Sequence, residues 1–310
     1  MRRMAWALTM AALVVCLVAS AAMAQTSQTT QGAPYVQEAE QGSVNWQTGL
    51  ITAKGIGAPP ESGANQAQLR GMALRAATVI ARRNLLELLK GVQIDSTTTV
   101  ENFMVASDVV VAHLRGYLQN SQILDTAYMS DGSVEVTVGL RLRGGVADVI
   151  LPKASEFNIQ RPAPAVAEPQ APAEAAQAEN ATAGGDPMAE AKAAADARPV
   201  TGLVVDARGL GLRPAMSPRI LDEDGREVYG TAAVKRGYAI KQGMAGYAKE
   251  PEGGAVARRA GDNPRVVKAL RVSGKAGTDV VIANAAAEDI RATNSEWKYL
   301  AQCHVVLVLD

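Results

Sequence analysis

Cys303 and His304 are the one adjacent nucleophile and base in the chain, a pair that could attack a carbonyl only if the imidazole reached the sulfur. They sit in an apolar run that reads as a strand, where neighbouring residues point to opposite faces. The expectation is a small buried hydrophobe beside a separate histidine. His113 lies among apolar residues with no carboxylate at helical contact spacing, and reads as packing. Asp222, Glu223, Asp224, Glu227 and, further back, Asp206 form an acidic cluster. Its spacing matches no calcium loop, and Asp224-Gly225 already suits a turn. Gly55-Ile56-Gly57 and Gly209-Leu210-Gly211 each follow a strand pattern, as a dinucleotide loop would. Both lack the third glycine and the immediate helix start that a pyrophosphate needs. No catalytic residue, metal ligand or cofactor site is therefore expected. Arg70, Arg75, Arg82 and Arg83 remain as a candidate interaction surface for anionic lipid, glycan or protein, against the default of a solvated helix face.

Those arginines need a helix to present them. Leu69, Met72, Ala76, Val79, Ile80, Leu86 and Leu89 recur at three- and four-residue spacing, which predicts a helix over 65–90. Ser62 or Asn65 can cap its start, and Gly91 ends it. A strand is expected over 46–56, a β-prone stretch over 92–100 and a second helix over 101–119. Residues 123–129 and 133–142 flank Asp131-Gly132, and the second run alternates apolar and polar residues. That is a hairpin with one buried face. Two helices on one face of a mostly antiparallel sheet is the economical architecture.

The second half is built similarly, with strands expected at 202–207, 266–272, 279–283 and 304–309 and a hairpin around Asp224-Gly225. Asn284 can cap a short helix through Arg291. Glycines at 237, 243 and 246 weaken any helix over 232–247. The fold class is α+β: two small domains, each with helices on a mostly antiparallel sheet, joined by a Pro/Ala-rich linker.

The rest of the chain reads as export and spacing. Arg2 and Arg3 precede an apolar run at 4–19, and Ala22-Met23-Ala24 supplies a signal-peptidase site, so residues 1–24 read as a secretory signal. Cys16 is flanked by Val15 and Leu17, which suit lipidation poorly, and cleavage after Ala24 is the better reading. Residues 25–43 are rich in Gln, Thr, Ser and Gly and read as a disordered leader. Residues 154–199 are dominated by Ala, Pro and Glu and read as a semi-stiff linker between domains at 44–153 and 200–310. A spacer of that length suggests domains that bind separate surfaces or reach across a gap. Losing Arg2 and Arg3 leaves 29 basic against 31 acidic residues, with no basic excess for nucleic acid. Cys16 leaves with the signal, so Cys303 has no intramolecular disulfide partner.

The segment Ala76-Ala-Thr-Val-Ile-Ala-Arg82-Arg83-Asn84-Leu-Leu-Glu87, preceded by Trp46 and Ala53-Lys54-Gly55-Ile56-Gly57, resembles the small bacterial envelope lipoprotein family called lipoprotein twenty, itself similar to the N-terminal domain of flagellar assembly protein T. The resemblance covers the first domain only, and the chain departs from it in lacking a good lipidation site. It implies an α+β fold and a non-enzymatic, structural or interaction role in the periplasm or at the outer membrane. Envelope or flagellar-ring proteins are the implied partners, with peptidoglycan and self-association as further candidates. A periplasmic ligand- or glycan-binding module, using Arg208, Arg213 and the acidic hairpin, is the alternative reading.

Overall fold

The computed structural model describes residues 35–61, 65–153, 155 and 199–310. The expected export signal with Cys16, and the expected linker apart from residues 155 and 199, lie outside the described residues. The architecture is α+β, with helices set on two sheets.

The first sheet is antiparallel. It holds β1 (Val36–Ala39), β2 (Gly42–Asn45), β3 (Leu50–Gly57), β4 (Gln122–Tyr128) and β5 (Val134–Arg141) in the order β1-β2-β3-β5-β4. β1 and the start of β2 fall inside the stretch expected as a disordered leader, which corrects that boundary. The hairpin is polar, yet its backbone pairs onto β3 and Val44 reaches the core. Backbone pairing leaves no mark on composition, so the leader's composition hid it.

Helix α1 (Gln66–Lys90) starts and stops where its sequence signals place it. Asn65 Oδ1 accepts from Gln68 N at 2.9 Å while Gln68 Oε1 accepts from Asn65 N, a reciprocal capping box, and Gly91 closes the other end. The buried face differs from the expected one. Ala73, Ala77, Ala81, Leu85 and Leu89 face the sheet, whereas Met72 is 52% and Val79 67% exposed. The cause is close approach. Gly55 and Gly57 lie two apart on the sheet face under α1, and a Cβ on Gly55 would stand 2.5 Å from Ala77 O. Backbone against backbone leaves room for alanine and not for larger side chains.

The single helix expected over 101–119 is two, α2 (Val100–Val105) and α3 (Asp108–Gln119). Ser107 takes extended backbone (φ −156°) between them and its side chain accepts from Val110 N, so a cap interrupts an otherwise continuous apolar pattern. A short helix α4 (Gly145–Ile150) follows β5. The β-prone stretch at 92–100 makes one bridge, Gln93 with Thr99, around a turn in which Asp95 Oδ1 accepts from Thr97 N and Thr98 N.

The second sheet contains β6 (Gly202–Asp206), β7 (Ile220–Leu221), β8 (Glu227–Tyr229), β9 (Gly246–Ala248), β10 (Pro264–Ser273), β11 (Asp279–Ile282) and β12 (Val305–Val308), ordered β8-β7-β11-β10-β6-β12-β9. It was expected to be mostly antiparallel and is instead mostly parallel. Only β7–β8 and β10–β11 are antiparallel, and β11–β7, β10–β6, β12–β6 and β12–β9 run parallel. The reason is visible in β11 and β12, buried along their whole length as unbroken Asp-Val-Val-Ile and Val-Val-Leu-Val runs, the habit of strands covered on both faces. Helix α5 (Arg236–Gln242) and α7 (Asn284–Trp297) contribute Ala239, Ala287 and Ile290 to the main core. Helix α6 (Gly254–Ala260) closes a smaller one with Val204, Val306 and Val308. Asn284 does not cap α7, as the sequence suggested. It is the first helical residue, and its side chain bonds Glu223 N and Asp224 Oδ2.

The two domains, expected to bind separate surfaces or reach across a gap, share one apolar core. Trp46 meets Tyr247 edge to face, ring centroids 5.5 Å apart. The 92–99 loop gives Gln93 O and Ile94 O to Met216 N and Ser217 N, and Ser96 O to Ala276 N. Arg236 of α5 holds Asp148 and Pro152 O beside α4, and Gly144 N donates to Ile240 O. Three separate segments of the first domain thus reach the second.

Candidate functional site

Most of the residues that sequence reasoning singled out for chemistry are engaged in packing, hydrogen bonds or ion pairs. Cys303 is fully buried and takes a left-handed backbone (φ 59°), and burial pushes its thiol up to about 11. A thiol held there stays protonated at neutral pH. His304 Nδ1 meets Thr201 O at 3.1 Å, and no hydrogen bond joins it to Cys303. His113 Nδ1 meets Val109 O within α3. In the acidic hairpin, burial works to raise the pKa of Asp222, but hydrogen bonds from Arg291 and Arg226 outweigh it and hold the carboxyl below its ordinary value. Asp224 pairs with Arg226 and Asp206 with Arg208. Among the described residues no group of three or more His, Cys, Asp or Glu is arranged to hold a metal. Arg208, one candidate ligand residue, is engaged in its bidentate pair with Asp206; Arg213 lines a separate groove with Trp46 and Glu87.

The four arginines of α1 do not form one stripe. At 100° per residue, Arg75, Arg82 and Arg83 fall on the outer half of the helix with Met72 and Val79, while Arg70 sits about 140° around from Arg75. Arg82 is half-buried and its Nε donates to Ser121 Oγ at 3.3 Å; the other three are exposed.

What the sequence did not reveal is a cationic cavity where the domains meet. A space of about 220 Å³ is lined by Gln47 and Arg143 of the first domain and by Gln242, Tyr247, Ala255, Arg258 and Arg259 of the second, among others. Arg143 follows β5, and its NH2 donates to Gln47 O at 2.6 Å. Burial lowers its pKa, and the neighbouring Arg259 charge lowers it further, to about 10. Arg259, on α6, donates to Cys303 O, Gln242 O and Gly243 O, and burial lowers its pKa too. Neither guanidinium has a carboxylate partner among the described residues, whereas Arg219 is matched to buried Asp279, and Arg226 and Arg291 to buried Asp222. No sequence signal could have found the cavity, because Arg143 and Arg259 lie 116 positions apart and meet only through domain docking.

Residues 202–310 match the family model described as Treponema pallidum Tp0624, second domain. The match begins at β6 and takes in the whole second sheet, including Arg258 and Arg259. Its description names no activity. No curated protein matches the chain.

The first domain offers a second feature. β4 is the last strand of its sheet, so one row of its backbone groups is unpaired within the sheet. It is also bare on both faces: six of its seven residues are exposed, Tyr128 by 60%. Ile123, Leu124 and Tyr128 supply apolar surface there, and Met129 extends it. Asp125 sits mid-strand, bonded to its neighbour Thr126 N, with no basic partner among the described residues. Leu124 forms a bulge that bends the strand's first half.

Proposed function

We propose that this chain is a non-enzymatic, exported protein of the cell envelope that acts by binding another protein along β4. The observation that carries the reading is that strand: an unpaired edge with exposed apolar residues, which is a template for strand addition. The occupant is an extended segment of a second envelope protein, with apolar side chains and a basic residue facing Asp125. A second copy of this chain fits less well. Two β4 strands running antiparallel would bring like Asp125 charges together across a short edge that is already bulged. The signal-like residues 1–24 and the resemblance of the first domain to envelope lipoproteins and a flagellar assembly domain support the compartment. Flagellar-ring proteins are within the class of partner.

A photo-cross-linking residue in place of Ala127, compared with one in place of exposed Glu288 on α7, tests this in cells. The expected result is an adduct from position 127 alone, joined to an extended segment of an envelope protein and lost in the Asp125→Arg variant. Adducts only between copies of this chain, adducts indifferent to Asp125→Arg, or turnover of a substrate by the purified protein would overturn the reading.

A further inference from the structure

We propose that the cavity between the domains, lined by Arg143, Arg258 and Arg259, is a binding site for a phosphate group. The argument starts from uncompensated charge. A guanidinium carries five N–H donors. Arg143 commits one, to Gln47 O, and Arg259 three, to Cys303 O, Gln242 O and Gly243 O. All of these acceptors are neutral carbonyls, so they satisfy donors without cancelling charge. Arg258 adds a third cation at the exposed rim, with no acidic partner among the described residues. Two half-buried like charges in one cavity are costly unless an anion joins them. Half-buried Arg219 and Arg291, by contrast, are each matched to a buried aspartate.

Size and charge select the anion. About 220 Å³ is several water volumes, enough for a phosphate with a small organic group or bridging waters and too small for a folded partner. Three cations match a group carrying between −1.5 and −2 at neutral pH better than a single carboxylate. Planar guanidinium forks suit its oxygens bidentately. The anion would touch Arg143 from one domain and Arg258 and Arg259 from the other, so its binding would also tighten the docked arrangement. The inference is independent of β4, which lies elsewhere on the first domain.

The test is a thermal-shift and calorimetric titration of the full mature chain at constant ionic strength, with inorganic phosphate, glycerol phosphate, acetate and chloride. Saturable stabilisation by inorganic phosphate or glycerol phosphate, and not by acetate or chloride, is expected. Tighter binding of the ester would identify a phosphoester as the source and equal binding free phosphate, both in support. Arg143→Met should weaken binding about tenfold or more, the loss of a charge-assisted contact. Because Arg143 also ties down Gln47, Arg258→Glu is the companion variant. At the exposed rim it leaves the fold intact, supplies the missing counter-charge, raises the melting temperature without ligand and abolishes the phosphate shift. No shift with either phosphate, an equal shift with acetate, or an unchanged shift in both variants would overturn the site.

Discussion

Gly55→Ala is the sharpest test of the reasoning about the first domain, because it separates a packing glycine from a ligand-loop glycine. A methyl group there would stand 2.5 Å from Ala77 O and 2.8 Å from Ala81 Cα, and nearer still to Ala81 N. These are backbone atoms of α1 and cannot swing away, so relief requires the helix to lift by about 1 Å from a close-packed sheet. Overpacking of this kind costs about 1–3 kcal/mol, and here the upper end applies because the obstacle is backbone on both flanks. For a cooperative unit of this size, 3 kcal/mol lowers the melting temperature by about 6–12 °C. Gly71→Ala is the internal control: it sits in α1 itself, with nothing within 4 Å of its new Cβ. It should stabilise by about 0.5–1 kcal/mol through helix propensity alone. Paired urea and thermal melts of the mature chain measure both. A Gly55→Ala protein within about 0.5 kcal/mol of the parent would refute the close-approach account of the alanine face of α1.

Further outcomes follow at Trp46, Cys303 and Asp222. Trp46→Ala removes a buried indole and its edge-to-face contact with Tyr247. It should cost about 3–5 kcal/mol and split a single melting transition into two as the domains uncouple, which calorimetry would show. Cys303 should resist iodoacetamide at pH 8 until the protein is unfolded, since its thiol is buried with a pKa of about 11. Because that folded value lies above the ordinary 9.0, its contribution to stability is complete below pH 9 and is lost as pH rises from there through 11; Cys303→Ala should flatten that alkaline slope in denaturant melts. Asp222 runs the other way. Its folded pKa lies below 3.8, so its ion pairs stabilise fully above that value and fade as pH falls below it. Asp222→Asn should remove that acid-limb dependence while leaving the alkaline limb unchanged.

Much of the first domain was legible in the sequence because its signals are local. Asn65, Gln68 and Gly91 set the ends of α1 through capping bonds made within a few residues, and Asp131-Gly132 with the alternation after it set the β5 hairpin. Strand geometry was the sequence's reason to keep Cys303 and His304 apart, but neither residue lies in a strand: Cys303 takes a left-handed turn and β12 begins only at Val305. What the sequence could not decide were matters of distance between segments. The apolar periodicity of α1 pointed to Met72 and Val79. The tight approach allowed by Gly55 and Gly57 turned the alanine face inward instead. The unbroken valine runs of β6, β11 and β12 carried the information that the second sheet is buried on both faces, but strand order and direction arise only when the strands pair.

The docking of the domains, and with it the meeting of Arg143 with Arg259, was set by tertiary structure alone. Residues 116 positions apart in the chain share a cavity only because Trp46, the 92–99 loop and α4 bury apolar and hydrogen-bonding surface against the second domain. Local propensity determined which segments became helix and strand, and the burial of long-range contacts determined which charges were left facing one another.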